Sequence, residues 1–116
     1  MTTKLAMTMA RFEGFFVQGS VPQRNNNPLD LRHAPEEEHL ETDPNGVGWF
    51  ATPEEGWAMG ERQLELYAGR DLTIGEMIGE FAPVSENDTG AYLDFVCKEV
   101  GCQPTDKVAD VLKEIE

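Results

Sequence analysis

Apolar residues recur at helical spacing near the start of the chain. Leu5, Met9, Phe12 and Phe16 fall on one narrow stripe of a helical wheel, which is typical of an amphipathic helix. This pattern predicts a first helix from about Thr3 to Phe16, with Gly14 near its end and a stop at residues 19–22. Residues 17–28 are expected to form a loop rich in side-chain amides.

Two capping signals mark the next helices. Thr52 precedes Pro53 and is followed three residues later by Glu55, which predicts a helix to about Ala68. The segment Thr73–Glu76 repeats the capping-box pattern and predicts a short helix through about Phe81.

Two further helices are expected in the last third of the chain. A polar turn at residues 85–89 precedes a helix from about Thr89 to Val100. The last helix should start near Thr105, because four apolar residues then recur at helical spacing: Val108, Val111, Leu112 and Ile115.

The segment from Leu29 to Phe50 has no helical period. Leu29–Arg32 alternates like a short strand, and Val47–Phe50 could be its hairpin partner. Between them lies an acidic excursion that contains Glu36–Glu38 and is expected to be solvated. With 116 residues, the chain is predicted to be a single domain over 1–116, mostly α with a small hairpin.

The acidic charge excludes several classes of partner. The net charge is −13, from 22 acidic and 9 basic residues, which argues against nucleic acid and against anionic membranes. No apolar run approaches the roughly 20 residues of a membrane span. The first residues have no signal-peptide core, so we expect a protein that is cytoplasmic as synthesised, unless another protein exports it. The oligomeric state is left open.

The two cysteines are expected to pack together. Cys97 and Cys102 flank Gly101, which is predicted to end a helix in the left-handed conformation. The two side chains would then touch across the cap. A short-loop disulfide is the alternative, which a reducing cytoplasm disfavours.

The motifs of several common chemistries are absent. There is no phosphate-binding glycine loop and no Gly-x-Ser-x-Gly motif. His33 and His39 could bind a metal together with Glu36–Glu38, but an exposed tip is a poor metal site. We therefore predict no metal and no cofactor.

Glu13 is the candidate for acid catalysis. It lies at the edge of the apolar stripe, just before Phe16. Partial burial disfavours a charged carboxylate, so the pKa of Glu13 should rise, as a general acid requires. The alternative is a boundary side chain that extends to water. Carboxamides and aromatic rings elsewhere in the chain fit recognition of carbohydrate.

Three segments in this order carry a resemblance to a known family. They are Ala10–Phe15, Arg24–Arg32 with its Asn-Asn-Pro sequence, and Phe50–Trp57. Ala82–Pro83, Glu86–Thr89 and Tyr92 add to them. Together they resemble the small lysozyme-like glycosidases of phages and bacteria, in the broad group of goose-type lysozymes and soluble lytic transglycosylases. The likeness covers about residues 9–101.

The resemblance implies a two-lobed, lysozyme-like helical domain with a cleft. The substrate would be peptidoglycan, cleaved at the β-1,4 bond between N-acetylmuramic acid and N-acetylglucosamine, or a related N-acetylhexosamine polymer such as chitin. Glu13 would be the catalytic acid. The other residues implied to contact or shape the substrate site are Asn26, Asn27, Asp30, Phe50, Glu86, Asn87 and Tyr92. Of these, Tyr92 would lie near the sugar or near Glu13.

Each of these secondary assignments has a structural alternative. The asparagine run can be a turn, Phe50 and Tyr92 can be core residues, and Asn87 can be a helix cap. An inverting hydrolase needs a base carboxylate roughly 6.5–9.5 Å from the acid. The candidates for it are Asp30, Glu41, Asp43 and Glu55. A lytic transglycosylase needs one carboxyl alone, because the 6-hydroxyl of the sugar attacks.

Two features depart from the family pattern. Relatives usually have Gly-Asn where this chain has Leu29-Asp30, so a charge replaces a neutral amide. The charge of −13 is also unusual for an enzyme whose substrate is anionic. The alternative function is therefore an inactive lysozyme-like domain that is structural, or binds glycan, in a phage or secretion assembly.

Overall fold

The computed structural model describes residues 2–32, 40–85 and 87–116, which form six helices around one hydrophobic core. The helices are α1 (Lys4–Glu13), α2 (Val21–Arg24), α3 (Pro53–Gly69), α4 (Ile74–Phe81), α5 (Thr89–Val100) and α6 (Val108–Val111). The prediction of a mostly α protein is confirmed. No helix in these ranges is long and apolar enough to cross a membrane.

Helix α1 lies at the centre of the packing, against α5 and α3. Its N-cap is Thr3, whose hydroxyl accepts a hydrogen bond from the Ala6 N–H. Leu5 and Met9 are fully buried. The helix ends at Glu13 because Gly14 adopts the left-handed conformation, with φ of 87°. The predicted end at Phe16 was therefore wrong, and the Phe16 side chain is 54% exposed.

The predicted loop at residues 17–28 contains a short helix. Ser20 caps α2 by accepting from the Gln23 N–H, and Pro22 occupies the first turn. After α2 the chain turns at Asn25–Asn27 and packs against α3. A Cβ at Gly56 would lie 1.7 Å from the Asn26 carbonyl oxygen. Glycine at position 56 is thus what allows the turn to lie directly on the helix.

The predicted hairpin does not form strands in the described residues. The Gly48 N–H does donate to the Leu31 carbonyl, and the Asn27 side chain links the same two segments. Its amide donates to the carbonyls of Leu31 and Gly48, and its oxygen accepts from the Leu31 N–H. Asp30 has φ of 53°, which is incompatible with an extended strand. Residues 47–49 pair instead with residues 41–43, through an isolated antiparallel bridge between Thr42 and Gly48.

The other helix boundaries follow the capping residues. The predicted Thr73–Glu76 capping box is present, and Thr52 caps α3 by accepting from the Glu55 N–H. Helix α5 spans the predicted residues and ends at Gly101, with φ of 81°. The sulfur atoms of Cys97 and Cys102 lie 3.8 Å apart as free thiols, so the predicted contact is confirmed.

The last helix is shorter than predicted. It starts at Val108 rather than near Thr105, because residues 104–106 pair with the start of α4 through the carbonyls of Pro104 and Asp106. Val108 and Val111 enter the core. The following residues return to the N-terminus, where an isolated bridge joins Ile115 to Thr3. This pairing fixes the start of α1 against the end of the chain.

Candidate active site

Glu13 lies on the wall of a cavity of about 360 Å³. It is the last residue of α1, where the backbone turns away at Gly14. The negative end of the helix dipole lies at this position and disfavours a carboxylate. The short helix and its glycine cap therefore place one acidic side chain at the cavity with an electrostatic preference for the neutral form.

The pKa of Glu13 is raised to about 7. Burial is the main cause, since it removes water from the charged form. The hydrogen bond from Tyr92 lowers the pKa, the negative charge of Asp30 raises it, and Arg32 lowers it. The predicted rise in the pKa of Glu13 is confirmed, and this carboxyl is half protonated near neutral pH.

Tyr92 fixes the Glu13 side chain. Its hydroxyl donates a hydrogen bond to Oε2 of Glu13 over 2.7 Å. Tyr92 is 1% exposed, and its ring centroid lies 4.1 Å from that of Phe12 and 6.3 Å from that of Phe81. Burial and the neighbouring Glu13 raise the pKa of Tyr92 well above its ordinary value, so it remains a donor. Tyr92 is thus near Glu13, as expected, and acts from behind the cavity wall.

Three predicted site residues line the same cavity: Glu13, Asp30 and Asn87. Asp30 is half-buried and belongs to the turn after Asn27. Asn87 is exposed and makes a long hydrogen bond of 3.4 Å to the Pro83 carbonyl. Segments distant in sequence therefore contribute an acid, a second carboxylate and an amide to one cavity.

Asn26 and Asn27 belong to the scaffold of this site. The Asn26 side chain donates to the Phe50 carbonyl, and Asn27 is fully buried with its amide bonded to the backbone. Neither residue is among those that line the cavity. The structure assigns both asparagines a role in holding the turn that carries Asp30, rather than a direct contact with a ligand.

Phe50 lies away from the cavity that Glu13 lines. Its side chain is 7% exposed, and it lines a second cavity of about 630 Å³ together with the more exposed Trp49. The structure does not bring Phe50 to the cavity of Glu13.

The other predicted contact, Glu86, lies outside the described residues, as do His33, His39 and Glu36–Glu38. Elsewhere in the chain, no cluster of three or more metal-ligating side chains occurs.

Sequence reasoning missed several residues of the cavity. Gln63 and Tyr67 reach it from α3, and Arg32 and Glu80 complete its charged lining. Gln63 hydrogen-bonds the Tyr67 hydroxyl, whose pKa is raised mainly by burial. Their spacing in the sequence was the signal that could have found them. Gln63 and Tyr67 are four residues apart on a helix and therefore lie on the same face.

Comparison with known proteins gives one relative of note. Protein P5 of Pseudoalteromonas phage PM2 is 32% identical over 119 aligned residues, which cover 95% of this chain and 74% of the phage protein. No protein-family model matches the chain, and no solved structure matches it.

Proposed function

The chain belongs to the family of protein P5 of Pseudoalteromonas phage PM2, and we propose that it is a glycosidase that cleaves peptidoglycan. In this proposal Glu13 is the general acid, and the substrate is the β-1,4 bond between N-acetylmuramic acid and N-acetylglucosamine. The linkage and the wall polymer come from the sequence resemblance to lysozyme-like glycosidases. The acid chemistry is supported by the cavity.

The observation that carries the proposal is the state of the Glu13 carboxyl. It has a pKa of about 7, lies at a cavity and accepts a hydrogen bond from a buried tyrosine. A general acid must hold a proton at working pH and release it to the leaving oxygen. Because Tyr92 holds Oε2, the other carboxyl oxygen can carry that proton to the glycosidic oxygen.

The surroundings suit a sugar polymer. The cavity wall combines the charged and amide groups of Arg32, Gln63 and Asn87 with the rings of Tyr67 and Phe81. Amides and a guanidinium can bind hydroxyl and N-acetyl groups, and rings can pack on sugar faces. We further propose that the helices form the two-lobed arrangement of the lysozyme-like group, with this cavity as part of the cleft.

A second candidate is an inactive domain that binds glycan or has a structural role in a phage assembly. The net charge of −13 favours it, because an anionic wall polymer repels an acidic protein. The relative from a phage is compatible with both candidates. The two differ in whether any bond is cleaved.

The test is digestion of purified peptidoglycan at low salt and over a range of pH, with mass spectrometry of the soluble products. We expect the wild-type protein to release muropeptides and Glu13→Gln to release none. Glu99→Gln is the matched control, since Glu99 is exposed on α5. Absence of products from wild type at every pH would overturn the enzyme proposal and favour the inactive domain.

A further inference from the structure

Among the described residues, the side chain of Asp30 makes none of the hydrogen bonds that hold its turn. The turn is held by Asn27, whose carbonyl accepts from the Asp30 N–H over 3.0 Å and whose side chain binds the Leu31 N–H. Asp30 itself has φ of 53°, a conformation that glycine or asparagine adopts with equal or greater ease. The carboxylate charge at this position is therefore unexplained by the fold.

The Asp30 carboxyl is also poorly satisfied. Its Oδ1 atom is buried and has no hydrogen-bond partner among the described residues. A buried acceptor without a donor costs free energy, and such exceptions call for an explanation. Because Oδ1 is shielded from solvent, a water molecule in the cavity that Asp30 lines reaches this carboxyl through its other oxygen. Strained and unsatisfied groups of this kind are concentrated at functional sites.

The charges around Asp30 favour a division of roles with Glu13. Burial raises the pKa of Asp30, Arg32 lowers it and Asp43 raises it. Arg32 thus favours the ionised form of Asp30. Burial and the charge of Asp30 both favour the protonated form of Glu13. The two carboxyl groups line one cavity, and an inverting glycosidase uses such a pair of carboxyl groups as acid and base.

We propose that Asp30 is the general base that activates the attacking water, so that the protein is an inverting hydrolase. This inference rests on the proposed glycosidase function. The Asp30 carboxylate takes a proton from water, and the water oxygen forms a bond to the anomeric carbon. The bond from that carbon to the glycosidic oxygen breaks, and the leaving oxygen takes the proton of Glu13. Solvent then returns a proton to Glu13 and removes one from Asp30.

The experiment compares wild type, Asp30→Asn and Asp71→Asn on purified peptidoglycan in water enriched in oxygen-18. Asp71→Asn is the matched control. Asp71 has the same left-handed conformation, with φ of 59°, but lies on the surface beside Lys107. We expect wild type and Asp71→Asn to give reducing-end products that carry one oxygen-18 atom at the anomeric carbon. NMR should show that these products form first as the α-anomer, because inversion of a β-1,4 bond gives that anomer. Asp30→Asn should hydrolyse about 10²–10⁴-fold more slowly.

Two further measurements distinguish a catalytic role of Asp30 from a structural role. The melting temperature of Asp30→Asn should equal or exceed that of wild type, because the turn does not need the carboxylate. The pKa of Glu13, followed by NMR, should fall in Asp30→Asn and not in Asp71→Asn, since the charge of Asp30 raises it. An unchanged pKa would show that the two carboxyl groups do not share the site and would contradict the inference.

The products distinguish failure of this inference from failure of the proposed function. Products lighter by one water would mean attack by the sugar's own 6-hydroxyl, which overturns the role of Asp30 and leaves Glu13 as the acid. If Asp30→Asn slows hydrolysis by less than about 10²-fold, the role of Asp30 as general base is also overturned. No products from wild type would overturn both proposals.

Discussion

Replacement of Glu13 by glutamine should change stability in a way that depends on pH. The pKa of Glu13 rises from 4.5 to about 7 on folding, so the folded protein binds more protons than the unfolded chain between these values. Stability from this group is therefore lost as pH rises through that window. The glutamine side chain cannot ionise and can still accept the Tyr92 hydrogen bond.

The expected gain follows from the size of the shift. A pKa unit corresponds to about 1.4 kcal/mol, so Glu13→Gln should stabilise the protein by about 3 kcal/mol at pH 8. At pH 4 the two proteins should differ little, because Glu13 is then mostly protonated in both the folded and unfolded states.

Urea unfolding at pH 4 and pH 8, followed by circular dichroism, measures this difference. Glu99→Gln serves again as the control, because Glu99 is exposed and its replacement should change stability little at either pH. An equal effect of Glu13→Gln at both pH values, or no gain at pH 8, would refute the reasoning that burial holds Glu13 protonated.

Three further predictions concern the supports of the site. Tyr92→Phe removes a hydrogen bond that lowers the pKa of Glu13, so NMR titration should place that pKa above its wild-type value; a fall would contradict the account. Gly56→Ala should destabilise by several kcal/mol in urea, since its Cβ would meet backbone at 1.7 Å. Gly79→Ala, where nothing lies within 4 Å, should instead stabilise by about 0.5–1 kcal/mol, and similar effects at both glycines would be contrary evidence. Asn27→Ala leaves buried backbone groups unpaired and should cost at least about 2 kcal/mol; a smaller loss would exclude the scaffold role of Asn27.

Local signals predicted most of the helices. Caps such as Thr52, Thr73 and Gly101 act within a few residues of themselves, so their effect can be recognised in the sequence. The position of Glu13 beside an apolar stripe was enough to predict its partial burial and the direction of its pKa.

The prediction of a hairpin was wrong because the side chain of Asn27 takes the place of a partner strand. Alternation in Leu29–Arg32 favours a strand, but the Asn27 amide binds the backbone groups that a strand would pair. Nothing in the periodicity distinguishes an asparagine that contacts a ligand from one that binds the backbone. The fully buried position of Asn27 decides between them.

Contacts between segments that are distant in the sequence also could not be predicted from local sequence patterns. Tyr92 and Glu13 are separated by 79 residues, and their proximity was an expectation from family resemblance alone. The cavity contributions of Gln63 and Tyr67 depend on how α3 is rotated against the turn at Asn25–Asn27. That rotation is set by the close approach at Gly56, which composition and periodicity do not reveal.

The measurement that tests the central claim most directly is the rate of muropeptide release by wild-type protein as a function of pH, beside an NMR titration of Glu13. The account predicts that the rate falls about tenfold per pH unit above a midpoint near 7, because the acid loses its proton. That midpoint should coincide with the pKa of Glu13 in the titration. A rate that stays constant to pH 9, or no release at any pH, would contradict Glu13 as the general acid.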